Sequence, residues 1–165
     1  MRGKRHTAES VNSRVLDAHD DARRLAMEIA GLEPNVRVDP VGMRVVLEVE
    51  ETAWRQLDDL WLRVMVDGAW SDAASARALL TNRRLLARLR TGEVLSLWWG
   101  SLVGFAPDID HCHVVFDYGD GSPRAVSGAD TALVAVVGIA SLYGVKELTT
   151  HPALAPLRRL APRVG

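Results

Sequence analysis

The chain has little of what usually assigns a sequence to a known class of protein. Cys112 is its only cysteine, so no disulfide can form within the chain, and the sequence predicts a reducing, cytoplasmic setting. Its longest uncharged apolar run, residues 131–145, is shorter than the roughly 20 residues that a membrane-spanning helix needs. We therefore expect no membrane partner.

Several catalytic and cofactor-binding signatures are also missing. The sequence has no phosphate-binding loop, dinucleotide-binding fingerprint, Gly-x-Ser-x-Gly elbow, paired Cys-x-x-Cys or His-Glu-x-x-His. The formal net charge of −1 creates no general attraction to nucleic acid or to an anionic membrane. Of the 20 basic residues, 18 are arginine and 2 are lysine, a bias that suggests a GC-rich actinobacterial or phage source. These features favour binding over catalysis.

What the chain does contain predicts one α+β domain over residues 1–165, with residues 1–6 as a flexible basic start. A composition of 48% hydrophobic and 25% charged residues is ordinary for a folded globular domain. Residues 7–30 predict an amphipathic helix that ends at Gly31, because apolar residues recur there at alternating spacings of four and three. This stripe consists of Val11, Val15, Ala18, Ala22, Leu25 and Ile29.

The middle of the chain predicts a mixture of strands and helices. Alternating apolar and charged residues over 35–50 predict a β-hairpin with a proline-glycine turn. Apolar residues at helical spacing predict a central helix pair at about 52–67 and 72–90. The nearly continuous apolar run 93–105 predicts a central strand, or a strand pair broken at Gly100.

The remaining elements complete the predicted architecture. Residues 111–118 and 123–127 predict a second hairpin, and a helix at about 129–143 is apolar on every side, as in a buried core helix. The predicted fold is therefore an antiparallel sheet built from two hairpins plus a central apolar strand. It is packed by the N-terminal amphipathic helix, the central helix pair and the buried apolar helix.

Residues able to bind a metal are concentrated just before and within the strand predicted at 111–118. Side chains alternate along a strand, so His111, His113 and Asp117 share one face. Two imidazoles two residues apart can hold a divalent metal with a carboxylate as third ligand. Asp108 and Asp110 are the candidate catalytic bases, acting on metal-bound water. A divalent metal is accordingly the one cofactor that the sequence suggests, and a plain solvated face is the alternative.

Two neighbouring features are explained without a metal. Cys112 falls on the opposite strand face and is interpreted as a small buried residue. The segment Asp117-Tyr118-Gly119-Asp120-Gly121-Ser122-Pro123 resembles, over seven residues, the aspartate–aromatic–Gly-Asp-Gly motif of PKD-type β-sandwich domains. We interpret this resemblance as shared turn chemistry, because Asp-Gly supplies the positive φ values of a tight hairpin.

A cluster of arginines provides the candidate nucleic-acid interface. On the helix predicted at 72–90, these residues lie on or beside one face, which could follow a phosphate backbone or be simply solvated. The cluster consists of Arg77, Arg83, Arg84, Arg88 and Arg90.

The leading hypothesis is a small, soluble, non-enzymatic protein that binds another protein or itself, as an accessory, regulatory or immunity-type factor. Trp98 and Trp99 are candidate interface residues, because tryptophan is enriched at binding hot spots. Val11, Val15 and Leu25 on the first helix are the others. The alternatives are a metal-dependent enzyme that uses the His-x-His pair and a nucleic-acid-binding protein that uses the arginine cluster.

Overall fold

One antiparallel sheet of eight strands dominates the computed structural model of the protein, which describes residues 2–36 and 38–159. The fold is α+β, as predicted. The long helix α1 (Arg2–Ile29) precedes the sheet, and α2 (Thr131–Tyr143) and the short α3 (Ala155–Arg158) follow it. The strands are β1 (Ala53–Val66), β2 (Ala69–Trp70), β3 (Ala74–Thr81), β4 (Arg84–Leu89), β5 (Val94–Trp98), β6 (Gly104–Asp108), β7 (His113–Asp117) and β8 (Arg124–Ser127).

The order of the strands forces the sheet to curl. They are arranged β5-β4-β3-β1-β8-β7-β6, with β2 paired to β1 alone, so two strands that follow one another in sequence form opposite edges. In a flat sheet these edges would lie about 29 Å apart, since neighbouring strands are about 4.8 Å apart. The connection over 99–103 spans at most roughly 20 Å. The two edges therefore converge at this end of the sheet.

The helix α2 fills the concave side of the curled sheet. Its residues from Thr131 to Ile139 are all buried, which confirms the prediction of a core helix. Its Gly138 faces Phe105, whose ring lies edge-on to both Trp99 and Phe116. The indole of Trp99 also donates a 2.9 Å hydrogen bond to the carbonyl of Thr81. This aromatic cluster joins the sheet to α2.

The predicted central helix pair is wrong, because both segments are strands. In β1 a bulge places three residues opposite two of β3, so Leu57 and Leu60 both face the core although they are three residues apart. A spacing of three residues is also the spacing of residues on one face of a helix, which is why the pattern predicted one. In β3 and β4 both sheet faces are covered, so the adjacent Leu79 and Leu80 are fully buried and the alternation expected of a strand disappears.

The predicted hairpin at 35–50 is also wrong. The described part of this segment has a 3-10 turn at Pro40–Met43 and no strand. It crosses the convex face, where Met43 packs with Leu79 and Leu86. Arg84 binds Glu51 at 3.0 Å, and Arg88 donates to the carbonyls of residues 43 and 44. These arginine contacts take the place of strand pairing.

Three further predictions need correction. The run 93–105 forms two strands interrupted around Gly100, as its second alternative predicts, but β5 and β6 lie at opposite edges of the sheet and not at its centre. The first helix begins at Arg2 rather than at residue 7, so residues 2–6 are its first turns. The strand predicted at 111–118 begins only at His113, and it pairs with β8 to form the expected hairpin.

A buried ion cluster fixes α1 on the sheet. The guanidinium of Arg55 on β1 binds Glu28 at 2.6 Å and Asp21 at 3.1 Å, and it also donates to the carbonyl of Trp54 at 2.7 Å. The side chain of Glu28 is 1% exposed and that of Arg55 is 10% exposed. Removing one partner of such a pair leaves an uncompensated buried charge. The pKa of Glu28 is lowered, first by its hydrogen bond from Arg55.

We expect Arg55→Met to lower the free energy of unfolding by about 3–5 kcal/mol at pH 7, measured by urea denaturation. The double variant Arg55→Met/Glu28→Leu should recover most of this loss, because it buries no unpaired charge at position 28. Equal destabilisation in the single and double variants would contradict the assignment.

The pH dependence of stability should differ between the wild type and Arg55→Met. In the wild type, the contribution of Glu28 is present above its unfolded pKa of 4.5 and is lost as the pH falls through its lower folded pKa. In Arg55→Met, burial without a partner raises that pKa, so this contribution should reverse sign and the variant should weaken as the pH rises above 4.5.

The contact between α2 and the aromatic cluster leads to a second stability prediction. A Cβ at position 138 would collide with the ring of Phe105, whereas one at position 100 would meet nothing within 4 Å. Gly138→Ala should therefore cost about 1–3 kcal/mol in thermal or urea unfolding. The matched control Gly100→Ala should stay within about 0.5 kcal/mol of the wild type.

Candidate functional site

An acidic groove of about 820 Å³ lies between α1 and β1. One wall is α1, and the other is the bulged part of β1 with Ser75 of β3 and Arg90 in the turn after β4. Residues 129 and 130, just before α2, complete the lining. Its lining residues are Arg14, Asp17, Ala18, Asp21, Gln56, Asp58, Asp59, Trp61, Ser75, Arg90, Ala129 and Asp130. Five of these twelve are aspartates and two are arginines, so the groove favours a cationic ligand.

Local structure explains why the aspartates converge. Asp17 and Asp21 are four residues apart on α1 and therefore share a helix face. Asp58 and Asp59 occupy the bulge of β1, where the regular alternation of side chains is interrupted. Asp130 is the N-cap residue of α2, but its side chain makes no capping hydrogen bond.

Most of these carboxylates have a partner. Asp21 belongs to the Arg55 cluster, Asp59 lies 3.3 Å from Arg14, and Asp58 lies 3.4 Å from Arg77. The last two pairs are exposed and should contribute little to stability. By contrast, the carboxylate of Asp130 has no hydrogen bond or ion pair within the described residues.

The surroundings of Asp130 disfavour its charged form. Burial raises its pKa, and the negative charges of Asp59, Asp21 and Asp58 raise it further, while Arg14 partly offsets them. A carboxylate that is half-buried among like charges is stabilised by an incoming cation. Perturbed titration in a cleft is a recurrent property of functional sites.

The structure separates Asp117 from the two histidines that were predicted to bind a metal with it. His111 lies in the turn before β7, where its Nδ1 is 2.9 Å from the carboxylate of Asp108. His113 pairs with Asp108 across the sheet, but Asp117 lies four residues further along β7, about 13 Å away. The carboxylate of Asp117 instead accepts a hydrogen bond from the amide of Gly119. Residues 8–36 and 38–159 contain no arrangement of three or more such side chains suited to a metal ion.

The neighbouring candidates have structural roles. The hydrogen bond from His111 lowers the pKa of Asp108, which makes this carboxylate a weaker base. Asp110 is exposed and lies 3.7 Å from Arg159. Cys112 is only partly buried and has a positive φ of 53°, because it ends the turn instead of continuing the strand. Burial raises the pKa of its thiol.

The arginines of the cluster have different roles: some hold another segment of the chain, and others lie at the surface. Arg84 and Arg88 hold the 38–52 segment through Glu51 and backbone carbonyls. Arg77 pairs with Asp58, and Arg90 lines the acidic groove. Since Arg77, Arg84 and Arg88 lie on strands, the cluster does not form the continuous helix face that could have followed a phosphate backbone. Arg83 lies in the turn between β3 and β4.

The predicted interface residues also separate. Leu25 and Trp99 are buried in the core, whereas Val11 is 54% exposed and Val15 is half-buried. Trp98 lies on the convex face at the edge strand β5, beneath the guanidinium of Arg84. Of the five, Val11 and Trp98 offer the most accessible surface to a partner.

Sequence reasoning missed the acidic groove because its aspartates come from distant segments of the chain. The local signal was the adjacent pair Asp58 and Asp59, which falls in the segment predicted as a helix at about 52–67. No known family model matches the chain, and no curated protein matches its sequence. No helix within the described residues has the length and apolar character needed to cross a membrane.

Replacing Asp130 tests the electrostatics of the groove. Its folded pKa is raised, so its unfavourable contribution grows as the pH rises from the unfolded pKa of 3.8 and stays constant above the folded pKa. Asp130→Asn should therefore be more stable than the wild type at pH 7, and this advantage should vanish below pH 3.8 in urea denaturation. The exposed control Asp72→Asn should show no such pH-dependent gain.

Proposed function

We propose that this is a non-enzymatic binding protein whose acidic groove takes up a positively charged segment of a partner protein. The observation that carries the proposal is the half-buried, unpartnered carboxylate of Asp130 beside Asp58 and Asp59. A guanidinium or ammonium group placed there would relieve the repulsion among these charges. An accessory or regulatory role fits a protein that acts through such a contact.

The wall of the groove favours arginine or lysine in an extended or helical segment. Trp61 is 43% exposed there and offers an aromatic face to a cation or to its aliphatic stem. The groove is open rather than enclosed, as a site for a polypeptide requires. Exposed charges of this kind speed association and set specificity more than they add affinity.

An arginine of the protein itself, Arg14, already neutralises part of the negative charge in the groove. Arg14 binds Asp59 at 3.3 Å, and both side chains are well exposed. An incoming cation would compete with Arg14 for the same carboxylate. Removing Arg14 should therefore strengthen binding, whereas removing the carboxylates should weaken it. This opposition distinguishes a specific cation site from general loss of structure.

The test begins with a random twelve-residue peptide library displayed on phage and selected on the full-length protein. Selected peptides should be enriched in arginine and lysine. In calorimetry, Asp59→Asn/Asp130→Asn should weaken their binding about three- to tenfold, and Arg14→Gln should strengthen it about two- to threefold. Binding should fall as salt is raised.

The matched control is Asp72→Asn/Glu33→Gln, which removes two exposed carboxylates outside the groove. It should bind the selected peptides like the wild type. The proposal fails if the library gives no basic enrichment, or if the control and the groove variant lose affinity equally.

A further inference from the structure

The two edges of the sheet are protected very differently. On β6, Pro107 has no backbone N–H, Asp108 carries a charge, and the turn at Pro152–Leu154 packs beside the strand. On β5, the sequence Val94-Leu95-Ser96-Leu97-Trp98 has neither charge nor proline. An apolar edge without such protection is a template for another strand.

The hydrogen bonds of β5 identify which backbone groups face outward. Trp99 donates to the carbonyl of Arg83, and Leu89 donates to the carbonyl of Glu93. The odd-numbered residues of this strand therefore direct their N–H and C=O groups towards β4. The even-numbered residues therefore direct their N–H and C=O groups away from the sheet. Among these groups, the carbonyl of Trp98 accepts a 3.2 Å hydrogen bond from Tyr118. Those of Val94 and Ser96 have no partner among the described residues.

An apolar cleft of about 310 Å³ lies along this same edge. Its lining comes from β1, β5, β8 and the turn after β7, and the Asp120–Arg124 ion pair, 2.7 Å apart, is part of it. The lining residues are Leu62, Val64, Leu95, Ser96, Leu97, Trp98, Ser101, Tyr118, Asp120 and Arg124. A chain paired with β5 would direct every second side chain towards this cleft.

We propose that β5 is a second docking site, which binds a short extended segment of another protein by adding a strand to the sheet. The outward groups of Val94 and Ser96 would supply backbone hydrogen bonds, and the cleft would accept alternate apolar side chains. Side chains on the other face of the added strand would meet Trp98. This site shares no residue with the acidic groove, and it goes beyond the function proposed above.

An extended segment fits this edge better than a second copy of β5. In a symmetric antiparallel pair centred on Ser96, the N–H of Val94 would donate to the carbonyl of Trp98 in the partner copy. The hydroxyl of Tyr118 already lies 3.2 Å from that outward-facing carbonyl, in the space that the partner strand would have to fill. A foreign segment can instead be short enough to use only Val94 and Ser96.

The variant Ser96→Pro tests the proposal while leaving the β4–β5 hydrogen bonds in place. The N–H of Ser96 points outward, so proline removes a docking donor and adds bulk at the edge. The substitution also removes the hydroxyl that accepts a 3.0 Å hydrogen bond from Arg84. Ser96→Ala loses the same hydroxyl but keeps the N–H, and it is therefore the matched control.

The probe is the same random twelve-residue library, selected on the full-length groove variant Asp59→Asn/Asp130→Asn so that basic peptides do not dominate. Selected peptides should carry apolar residues at alternating positions. In calorimetry, Ser96→Pro in the same background should weaken their binding at least tenfold, and Ser96→Ala should leave it within about twofold of the background. Circular dichroism should show that both variants retain the fold.

Amide hydrogen exchange measured by NMR provides an independent readout. Before peptide is added, the amides of Val94 and Ser96 should exchange much faster than those of Leu95 and Leu97, and saturating peptide should slow them. Peptides without alternating apolar residues, equal binding to Ser96→Pro, or unchanged exchange would overturn the proposal. Slow exchange in concentrated protein without peptide, together with a dimer in sedimentation, would overturn it in favour of a second copy.

Loss of one site leaves the other measurable. If basic peptides fail to bind the wild type but alternating apolar peptides bind the groove variant, the groove proposal fails and the edge-strand proposal stands. If basic peptides bind the wild type but no alternating apolar peptide binds the groove variant, the edge-strand proposal fails and the groove proposal stands.

Discussion

The contact of Arg55 with Glu28 and Asp21 determines where α1 lies, and both the core and the groove depend on it. The guanidinium binds two carboxylates that are two helical turns apart, so it fixes the helix in position along its axis as well as against the sheet. Apolar contacts alone would tolerate some sliding, because Ala18 and Ala22 are small. A salt bridge between planar groups is geometrically more restrictive.

This fixed position has a consequence for the surface. With Asp21 held at Arg55, Asp17 lies one turn nearer the N-terminus and comes to face the bulge of β1. The same bulge interrupts the alternation of β1 and places Asp58 and Asp59 at the groove. The groove is thus produced by two structural irregularities: a buried charge on a strand and an extra residue in that strand. Irregularities of this kind often mark functional positions.

The sequence allowed prediction of those elements whose local pattern and environment agree. The helix α2 is apolar on every side and is buried on every side, while α1 shows one stripe whose C-terminal half meets the core. The turn chemistry of Gly119 and Gly121 likewise matched, since both have positive φ. Fold class, the hairpin β7–β8 and the end of α2 at Tyr143 followed from such agreement.

Prediction failed where long-range structure changed the local pattern. The bulge in β1 converted strand spacing into helical spacing, and coverage of both faces removed the alternation of β3 and β4. Arg84 and Arg88 looked like a solvated face, because the segment they hold lies more than 30 residues away in sequence. His111 does not share a strand face with His113 and Asp117 as predicted, because the turn that ends at Cys112 removes it from the strand. The candidate groove could not be predicted, since its carboxylates converge only through sheet pairing and the Arg55 cluster.

The two docking surfaces differ in the physics by which they would recognise a partner. The groove offers charges that act over a Debye length of about 8–10 Å, so it can influence approach before contact. The edge of β5 offers backbone groups and an apolar cleft, which act only at contact. Its backbone hydrogen bonds select for an extended chain conformation and not for charge. A partner with a basic segment next to an apolar, extended one would engage both, and tethering would then raise the effective concentration of the second contact. Such a protein would bind selectively without any one strong contact, because selectivity would come from the requirement that both segments lie on one chain.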